Sequence, residues 1–268
     1  MSFAPKLIAI DIDGTILNSK SILTSRTRNT LRKAIKQNIH VVIATGRMYT
    51  SALPLIKEAG IHLPSIFFDG ALIRNPKTDE TLHERGLGEK LTAEILDFYR
   101  FNNWYIQIYF NDKLFVKDNN DPKCRYYESI AKIKAIPLGK DFWNFHVDSS
   151  KLLGIEQDLP SFQKMFDLTK KNFGNRIYSV ASWKTFVEMA HPDVNKGNAL
   201  AILARSLGVR REDVLAIGDS GNDIEMLEWA GHGVAMGNSE DFIKDVADEV
   251  ALCNDQDGAA QIIERYLT

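Results

Sequence analysis

Short apolar runs recur along the chain, with helical patterns between several of them. The runs that end in small or polar residues are LIAI (7–10), HVVIA (40–44), SIFF (65–68), DVLAI (213–217) and HGVAM (232–236). Near-continuous apolar strands of this kind are typical of a parallel sheet that is covered on both faces. The segments Thr24–Asn38 and Asn198–Leu207 each place apolar residues on one helical face. The alternation predicts an α/β fold with a doubly wound, Rossmann-like parallel sheet.

The middle of the chain has a different pattern, with alternating or aromatic strand candidates. These candidates are WYIQIYF (104–110), KLFVKD (113–118), RIYSV (176–180) and KTFVEM (184–189). Helical stretches at 89–102 and 161–173 lie among them, which predicts an α+β domain whose strands pair as neighbours while the helices cover one side. We therefore expect a discontinuous core formed by residues 1–82 and 189–268, with a second domain inserted at 83–188.

The composition of the chain argues against several classes of protein. The formal net charge of -2 and the lack of a long basic run argue against a nucleic-acid-binding surface. Cys124 and Cys253 lie far apart in sequence and suggest neither a disulfide framework nor a cysteine metal site, which fits a reducing cytoplasm. Asp11 interrupts the apolar run from Leu7 well short of a signal-peptide core, and no apolar stretch is long enough to span a membrane. We expect a cytoplasmic protein whose partners are neither nucleic acids nor membranes.

Two carboxylates follow the first apolar run, in the segment KLIAIDIDGT (6–15). Residues two positions apart in an extended chain point to the same side, so Asp11 and Asp13 would lie close together at the end of a buried strand. Two like charges this close cost energy unless a positive group lies near them. A turn with side-chain caps would explain the Asp-Gly-Thr sequence without any function. A calcium loop would not fit, because its sixth position would be Ile16 rather than glycine and its twelfth Ile22 rather than glutamate.

Polar residues also follow other predicted strands. In a doubly wound sheet, ligands bind outside the carboxyl ends of the strands, so these residues converge on one cleft. The residues expected at this cleft are Asp11, Asp13, Thr45, Asp219 and Asp223. Two simpler interpretations stay open: GDSGND (218–223) as a helix N-cap with acidic first-turn residues, and Lys196 as a surface lysine at a helix start.

The acidic residues of this cleft predict a bound cation. Hard oxygen ligands with few histidines nearby favour Mg²⁺ over zinc. A phosphate dianion that approached Asp11 alone would meet a repulsion of roughly 4 kcal/mol per pair of unit charges at about 4 Å and an effective dielectric constant of about 20. Mg²⁺ and Lys196 together would supply three positive charges, so a phosphate site at this cleft requires both.

Four motifs in this order resemble those of the haloacid dehalogenase-like phosphatase superfamily, and more narrowly its Cof-type hydrolases with the larger inserted α/β cap. The motifs are Asp11-Ile-Asp-Gly-Thr15, Thr45-Gly-Arg47, Asn195-Lys-Gly197 and Gly218-Asp-Ser-Gly-Asn-Asp223, and the tail Asn254-Asp-Gln-Asp-Gly258 is also similar. The resemblance covers the whole chain. It implies a Mg²⁺-dependent phosphatase with an inserted cap domain.

The resemblance also implies roles for individual residues. Asp11 would be the nucleophile that attacks phosphorus in line and forms an aspartyl-phosphate. Asp13 would protonate the leaving alkoxide and then accept a proton from the hydrolytic water, and its backbone carbonyl would bind Mg²⁺. Thr45 would hydrogen-bond a phosphoryl oxygen, and Lys196 would hold the phosphoryl group and offset its developing charge.

Further motif residues complete the implied site. Asp219 would be a direct Mg²⁺ ligand, with Asp223 and Asn222 ordering the metal shell or the substrate. Gly14 leaves room for a turn, and Gly46 keeps the backbone close to the phosphate. The implied metal ligands are Asp11, Asp13, Asp219 and Asp223, and the implied substrate contacts are Thr45, Gly46, Arg47, Lys196 and Asn222.

Two positions near the cleft have open roles. Arg47 would either steady the substrate or anchor the cap through a surface ion pair. Asp69 stands where family members usually carry asparagine, so the resemblance assigns it no substrate contact. Its negative charge would change which leaving groups the cleft tolerates.

We therefore expect a phosphatase that hydrolyses small phosphomonoesters, such as sugar phosphates or the vitamin cofactors pyridoxal phosphate and flavin mononucleotide. The alternatives are a phosphomutase that uses the same nucleophile and a non-catalytic sensor of phosphorylated ligands. The aromatic residues of the insert either stack on a substrate ring or, as the packing of small cores favours, fill the core of the insert. They are Trp104, Tyr105, Tyr109, Trp143 and Trp183. The sequence does not indicate an oligomeric state.

Overall fold

The computed structural model describes residues 3–182 and 185–268. The chain forms two compact units, Met1–His83 with Asn195–Thr268 and Glu84–Val194. The second unit is thus one continuous stretch inserted in the first. It includes the whole strand Phe186–Ala190, so it extends past the predicted end at residue 188.

Strands and α-helices alternate through much of the chain. The strands are β1 (Leu7–Ile10), β2 (His40–Ile43), β3 (Ser65–Phe67), β4 (Leu72–Arg74), β5 (Thr81–Glu84), β6 (Ile106–Phe110), β7 (Lys113–Val116), β8 (Ala135–Pro137), β9 (Lys151–Ile155), β10 (Tyr178–Ser182), β11 (Phe186–Ala190), β12 (Val214–Gly218), β13 (His232–Ala235) and β14 (Glu249–Val250). The α-helices are α1 (Ser25–Lys36), α2 (Tyr49–Ala59), α3 (Glu89–Phe101), α4 (Pro122–Ala131), α5 (Leu159–Phe173), α6 (Lys196–Ser206), α7 (Ile224–Trp229), α8 (Asp241–Lys244) and α9 (Gly258–Glu264).

The first unit contains a five-stranded parallel sheet with the order β14-β13-β12-β1-β2. β1 is an internal strand, in which Leu7 lies opposite Val214 of β12 and opposite His40 of β2. All of its residues are buried, which explains why the run LIAI is apolar without alternation. The prediction of a parallel sheet from these apolar runs is confirmed.

The predicted strand SIFF forms β3, and its partners differ from the expected ones. β3 pairs antiparallel with β4, and β5 completes a separate three-stranded sheet. One parallel bridge, between Ala44 and Ile66, joins β3 to the chain just after β2. The apolar run predicts burial correctly, because every residue of β3 is buried. It does not specify a partner. The connection from β3 to β4, residues 68–71, is too short for a parallel crossover, so the two strands pair as a hairpin.

Helices cover both faces of the parallel sheet. On one face, Leu7, Ala9 and other alternate strand residues share a core with Leu203 of α6 and Met226 of α7. The intervening strand residues, such as Ile8, are also fully buried, and α1 contacts both β2 and α9. Full burial of each such aliphatic side chain contributes roughly 1.5–3 kcal/mol. The doubly wound α/β prediction is therefore confirmed.

The second unit is built on a six-stranded sheet with the order β10-β11-β9-β6-β7-β8. β6 pairs antiparallel with β7, and β10 pairs antiparallel with β11, so strands that are neighbours in sequence are also neighbours in space, as predicted. The sequence pattern missed β9, which lies between β6 and β11. Residues of α3 and α5 share one hydrophobic core with β6, β9 and β11. The α+β character of the insert is thus confirmed.

Several aromatic residues of the second unit pack within it. Tyr109 is buried, and Trp104 and Trp143 pack against the core cluster of this unit. The hydroxyl of Tyr105 donates to Gln107 Oε1 at 3.0 Å. Trp183, the fifth aromatic residue that the sequence singled out, lies outside the described residues.

The described helices are short. The longest of them, α5, has 15 residues, whereas a membrane-spanning helix needs about 20 predominantly apolar residues. In the part of the chain that the structure describes, no helix combines the length and apolar character needed to cross a bilayer.

Candidate active site

Asp11 follows β1 directly and ends the apolar run at the carboxyl edge of the sheet. Its backbone N–H donates to Ile217 O at 3.0 Å, which continues the pairing of β1 with β12 by one residue. The side chain is buried, with 4 % of the residue exposed. Burial raises the pKa of Asp11 well above its usual range, and Asp223 raises it further, whereas Lys196 opposes both.

Lys196 lies between two carboxylates and is fully buried. Its Nζ donates to Asp11 Oδ1 at 2.7 Å and to Asp223 Oδ1 at 2.6 Å. Burial disfavours the charged amine, but the attraction of Asp11 and Asp223 outweighs it and raises the pKa of Lys196. This lysine is therefore a protonated bridge between the ends of two strands, not the surface residue of the simpler interpretation.

The helix that carries Lys196 begins two residues earlier than predicted. α6 starts at Lys196, and Asn195 is its N-cap, with Asn195 Oδ1 accepting from Asn198 N at 2.7 Å. The apolar periodicity begins only with the core residues of the helix, so it does not detect the first turn. Asparagine three residues before Asn198 is the signal that would have located the cap.

Asp223 combines the two roles that the sequence left open for GDSGND. Its Oδ2 accepts from the backbone N–H groups of Asp219 at 2.9 Å and Ser220 at 3.0 Å, which closes the turn after β12. Its Oδ1 accepts from Lys196. The carboxylate therefore caps the turn before α7 with one oxygen and contributes to the site with the other.

Asp219 is held by residues of two segments, the turn after β1 and the loop after β13. Thr15 Oγ1 donates to Asp219 Oδ1 at 3.0 Å, and Asn238 Nδ2 lies 3.4 Å from Asp219 Oδ2. Gly14 has φ +79°, and a Cβ on it would lie 2.2 Å from Asp219 Oδ2. Glycine is required at this position both by the left-handed backbone and by the approach of the carboxylate.

One carboxylate oxygen from each of Asp11, Asp219 and Asp223 lies within 4.8 Å of the others. Burial and then Asp223 raise the pKa of Asp219 to about 7, because Lys196 alone does not offset the negative charge of the group. Oxygen donors at this spacing suit a hard divalent cation such as Mg²⁺. These residues therefore fit the metal that the resemblance implies.

Asp13 lies in the turn Ile12–Ile16 and forms an ion pair with Arg47. Arg47 Nε donates to Asp13 Oδ2 at 2.6 Å, and Arg47 Nη2 donates to Asp13 Oδ1 at 2.5 Å. Such a two-point contact fixes the plane of the carboxylate as well as its position. The side chain of Arg47 is 30 % exposed and that of Asp13 is 46 % exposed, so the pair lies at the surface of the site.

Thr45 and Gly46 follow β2, and the loop after β3 approaches them closely. Thr45 is buried, and its Oγ1 accepts from Arg47 N at 3.1 Å, which leaves the hydroxyl hydrogen as a donor. The backbone N–H of Asp69 donates to Thr45 O at 3.1 Å. A Cβ on Gly46 would lie 2.8 Å from Asp69 Oδ1, so the carboxylate of Asp69 occupies the space beside this glycine.

Asn222 links the loop after β12 to the loop after β3. Its Nδ2 donates to Asp69 Oδ1 at 2.7 Å, and its Oδ1 accepts from Ser220 Oγ at 2.6 Å. The structure thus groups the predicted residues into three sets: Asp11 with Lys196, Asp219 and Asp223; Asp13 with Arg47; and Thr45 and Gly46 with Asn222 through Asp69.

Sequence reasoning missed Asn238 as a member of this region and gave Thr15 no role. Asn238 Nδ2 donates to Gly14 O at 3.0 Å, and Asn254 N donates to Asn238 Oδ1 at 2.9 Å. Asn238 therefore ties the turn after β1 to the loop after β13. Its position just past the apolar run HGVAM is the signal that could have identified it, since other polar residues at such strand ends belong to the site.

A family model described as haloacid dehalogenase-like hydrolase matches residues 8–263. The chain is 31 % identical over 289 residues to the phosphatase YwpJ of Bacillus subtilis (strain 168), an alignment that covers 98 % of this chain and 100 % of that protein. It is 29 % identical over 287 residues to the 5-amino-6-(5-phospho-D-ribitylamino)uracil phosphatase YwtE of the same organism, with 98 % of each chain covered.

Solved structures are similar over the same length. The crystal structure of a haloacid dehalogenase-like hydrolase from Bacteroides thetaiotaomicron has a TM-score of 0.88 at 30 % identity. The match covers 97 % of this chain and 99 % of that chain. A haloacid dehalogenase-like hydrolase from B. subtilis has a TM-score of 0.85 at 29 % identity, with 98 % of this chain and 100 % of that chain covered.

Proposed function

Because the chain belongs to the haloacid dehalogenase-like hydrolases, we propose that it is a Mg²⁺-dependent phosphatase that hydrolyses small phosphomonoesters through an aspartyl-phosphate on Asp11. One observation carries the proposal: the buried Lys196 joins Asp11 to Asp223, beside Asp219. Burial of a charged amine and its carboxylate partners costs desolvation free energy, so such a cluster is a poor way to stabilise a fold. A lysine that binds a phosphoryl group beside the nucleophile would explain why this cost is tolerated.

In this proposal Asp11 attacks phosphorus. A bond forms between a carboxylate oxygen of Asp11 and phosphorus while the bond from phosphorus to the leaving alkoxide breaks, and Asp13 gives its proton to that alkoxide. Water then attacks the phosphorus of the aspartyl-phosphate and loses a proton to Asp13, which releases inorganic phosphate and restores Asp11. Division into two displacements replaces one difficult step by two easier ones.

The proposed role of Arg47 follows from its ion pair with Asp13. A general acid must hold its proton within hydrogen-bond reach of the leaving oxygen. Because Arg47 donates to both oxygens of the ionised Asp13 carboxylate, it orients Asp13 in the form that accepts the proton of the hydrolytic water. We therefore assign Arg47 the role of orienting Asp13.

The phosphoryl group would be bound by donors from three loops. Lys196 would supply a positive charge, the hydroxyl of Thr45 would donate to a phosphoryl oxygen, and Asn222 would donate through its amide. Gly46 lets the backbone approach the phosphate closely. Fixed donors aimed at a developing negative charge are an effective source of transition-state stabilisation, because they need no reorganisation during the reaction.

A Mg²⁺ ion would be held by Asp11, Asp219 and Asp223, with the backbone carbonyl of Asp13 as a further ligand. When bound, Mg²⁺ would supply positive charge that lowers the repulsion between the phosphate dianion and these carboxylates. Asp219, which Thr15 orients, would act only as a metal ligand and take part in no covalent step. Asp223 would offer negative charge both to the metal and to Lys196, which donates to its Oδ1.

The proposed substrates are small phosphomonoesters, either sugar phosphates or phosphorylated cofactors. Among the similar proteins, three from B. subtilis are named as 5-amino-6-(5-phospho-D-ribitylamino)uracil phosphatases, at 29 %, 27 % and 29 % identity. That compound carries a phosphate on a primary hydroxyl of a polyol chain. Phosphorylated polyols and sugars are therefore the first compounds to test.

The test is release of inorganic phosphate from a panel of phosphomonoesters with Mg²⁺ or with a chelator. The panel includes sugar phosphates, a ribityl phosphate, pyridoxal phosphate and flavin mononucleotide. Mg²⁺-dependent release from one of these classes is the expected result. Isomerised sugar phosphate without release would indicate a phosphomutase, and binding without any turnover would indicate a sensor.

A further inference from the structure

Asp69 is a buried carboxylate in the phosphoryl-binding region that the mechanism above does not use. It lies in the loop after β3 with a left-handed φ of +56°, and 6 % of the residue is exposed. A third buried acidic group near a phosphate site is unfavourable on charge alone, because like charges repel strongly in a poorly solvated environment. A compensating function is therefore expected for it.

The contacts of Asp69 link three loops. Its carboxylate accepts from Asn222 Nδ2 at 2.7 Å, in the loop after β12. Its backbone N–H donates to Thr45 O at 3.1 Å, in the loop after β2. The space beside Gly46 admits this carboxylate, since a Cβ there would lie 2.8 Å from Asp69 Oδ1. Asp69 thus lies against Thr45, Gly46 and Asn222, which are proposed to bind the phosphoryl group.

The chemistry of the contact fixes the orientation of the Asn222 amide. An ionised carboxylate only accepts hydrogen bonds, so it must face the NH₂ group of Asn222 and not the carbonyl. The other end of the amide is then directed to Ser220, whose hydroxyl donates to Asn222 Oδ1 at 2.6 Å. An asparagine at position 69 could face either end of the amide, because it can both donate and accept.

We propose that Asp69 is a positioning residue, which fixes Asn222 so that its NH₂ group, with one N–H bonded to Asp69, offers the second N–H to a phosphoryl oxygen. This inference rests on the proposed phosphatase function, in which Asn222 binds the phosphoryl group. It explains why a negative charge is present at this position: the charge makes one orientation of the neighbouring amide much more favourable than the other.

A direct electrostatic effect of Asp69 on the phosphate would have the opposite sign. If Asp69 acted only through its charge, Asp69→Asn would relieve repulsion, and inorganic phosphate would bind more tightly. If Asp69 acts through Asn222, the same substitution releases the amide, and phosphate binds more weakly. The direction of the change therefore separates the two effects.

The experiment compares the wild type, Asp69→Asn, Asn222→Ala and the double variant. The dissociation constant of inorganic phosphate is measured by isothermal titration calorimetry in saturating Mg²⁺, together with KM and kcat. Loss of a hydrogen bond to a charged group corresponds to a change of about tenfold or more in affinity. We expect Asp69→Asn to weaken phosphate binding and lower kcat/KM by about tenfold, but to have almost no effect in the Asn222→Ala background.

A second readout does not depend on turnover. The side-chain NH₂ signals of Asn222 in a ¹⁵N-correlated NMR spectrum, assigned by their loss in Asn222→Ala, should shift when Asp69 becomes asparagine. The control is Asp241→Asn, at a side chain that is 98 % exposed and has no part in the site, and it should leave these signals unchanged.

Three results would overturn the inference: tighter phosphate binding in Asp69→Asn, an equal effect of this substitution in both backgrounds, or unchanged Asn222 signals. If the wild type neither binds phosphate nor releases it from any compound, the phosphatase proposal fails. In that case unchanged Asn222 signals in Asp69→Asn would still show that Asp69 does not hold the amide.

Discussion

The guanidinium of Arg47 donates to both carboxylate oxygens of Asp13, through Nε at 2.6 Å and Nη2 at 2.5 Å. The two residues lie at the ends of neighbouring parallel strands, β1 and β2, where the chain leaves the sheet. Sequence reasoning considered only the substrate and a surface ion pair with the cap as partners of Arg47. The contact with Asp13 makes the arginine part of the proton-transfer machinery of the proposed mechanism.

Replacement of Arg47 should therefore affect turnover more than substrate affinity. Misplacement of a catalytic group by about 1 Å can cost about a hundredfold in rate, so Arg47→Ala should lower kcat by roughly ten- to a hundredfold and change KM much less. Arg47→Lys keeps the charge but not the two-point contact, and should recover only part of the rate. The control is Arg28→Ala, which removes a surface ion pair with Glu58. A raised KM with an unchanged kcat would instead assign Arg47 to the substrate.

Lys196 should be essential for stability in the absence of metal. Removal of one partner of a buried ion pair costs about 3–5 kcal/mol, because the remaining charges stay buried without compensation. We expect Lys196→Met to lower the free energy of unfolding by this amount in urea denaturation with a chelator, and Mg²⁺ to restore part of it by offsetting Asp11 and Asp223.

The control for this experiment is Lys6→Met. Lys6 pairs with Asp213 at 3.1 Å, but its side chain is 65 % exposed. An exposed pair contributes about 0–1 kcal/mol, so this variant should be nearly as stable as the wild type. Equal stability of Lys196→Met and Lys6→Met would contradict the account of the buried bridge.

Asp219 should determine the metal requirement. Asp219→Asn keeps the shape of the side chain but removes a charged ligand, so the Mg²⁺ concentration for half-maximal activity should rise by more than about tenfold. Thr15→Val removes only the hydroxyl that orients Asp219 and should have a smaller effect in the same direction. A Mg²⁺ titration of phosphate release measures both. An unchanged requirement in Asp219→Asn would exclude the residue as a ligand.

Asp11→Asn should abolish turnover and leave the fold intact. The amide lacks the nucleophilic carboxylate oxygen, but its carbonyl can still accept from Lys196, and Asp223 remains as the second partner of the lysine. Asp241→Asn is the matched exposed control. The circular dichroism spectra and thermal unfolding curves of the wild type, Asp11→Asn and Asp241→Asn should be similar, whereas only Asp11→Asn should lose phosphate release. Activity in that variant would contradict the proposed nucleophile.

Much of the fold follows from the period of the apolar residues. β1, β2, β12 and β13 are apolar without alternation because both faces of their sheet are buried, and burial is the property that the sequence pattern records. β9, a buried strand between β6 and β11, escapes the pattern because Lys151 and Gly154 interrupt its apolar run, and both residue types are depleted in strands.

Pairing is also less predictable than burial. β3 has the same apolar character as β2, yet its main partner is β4, which follows it in a hairpin. The apolar pattern of a strand predicts its burial. Its pairing partner depends also on the length of the connection to the next strand, because only a short connection allows a hairpin.

For the candidate site, the sequence predicts residue types at strand ends better than it predicts their contacts. Asp11, Asp219 and Asp223 are close together because parallel strands bring their carboxyl ends to one edge. The choice of Asp13 as the partner of Arg47, and of Asn222 as the partner of Asp69, depends on side-chain directions in irregular turns. No period in the sequence describes those directions.

The most direct test of the central claim is to trap the proposed aspartyl-phosphate. The protein is mixed with Mg²⁺ and the compound of the panel that it hydrolyses fastest, and is then treated with borohydride, which reduces an acyl phosphate to an alcohol. Peptide mass spectrometry should find the reduced side chain at position 11, only when both Mg²⁺ and the substrate are present. Continued release of inorganic phosphate with position 11 unmodified would contradict the assignment of Asp11 as the nucleophile.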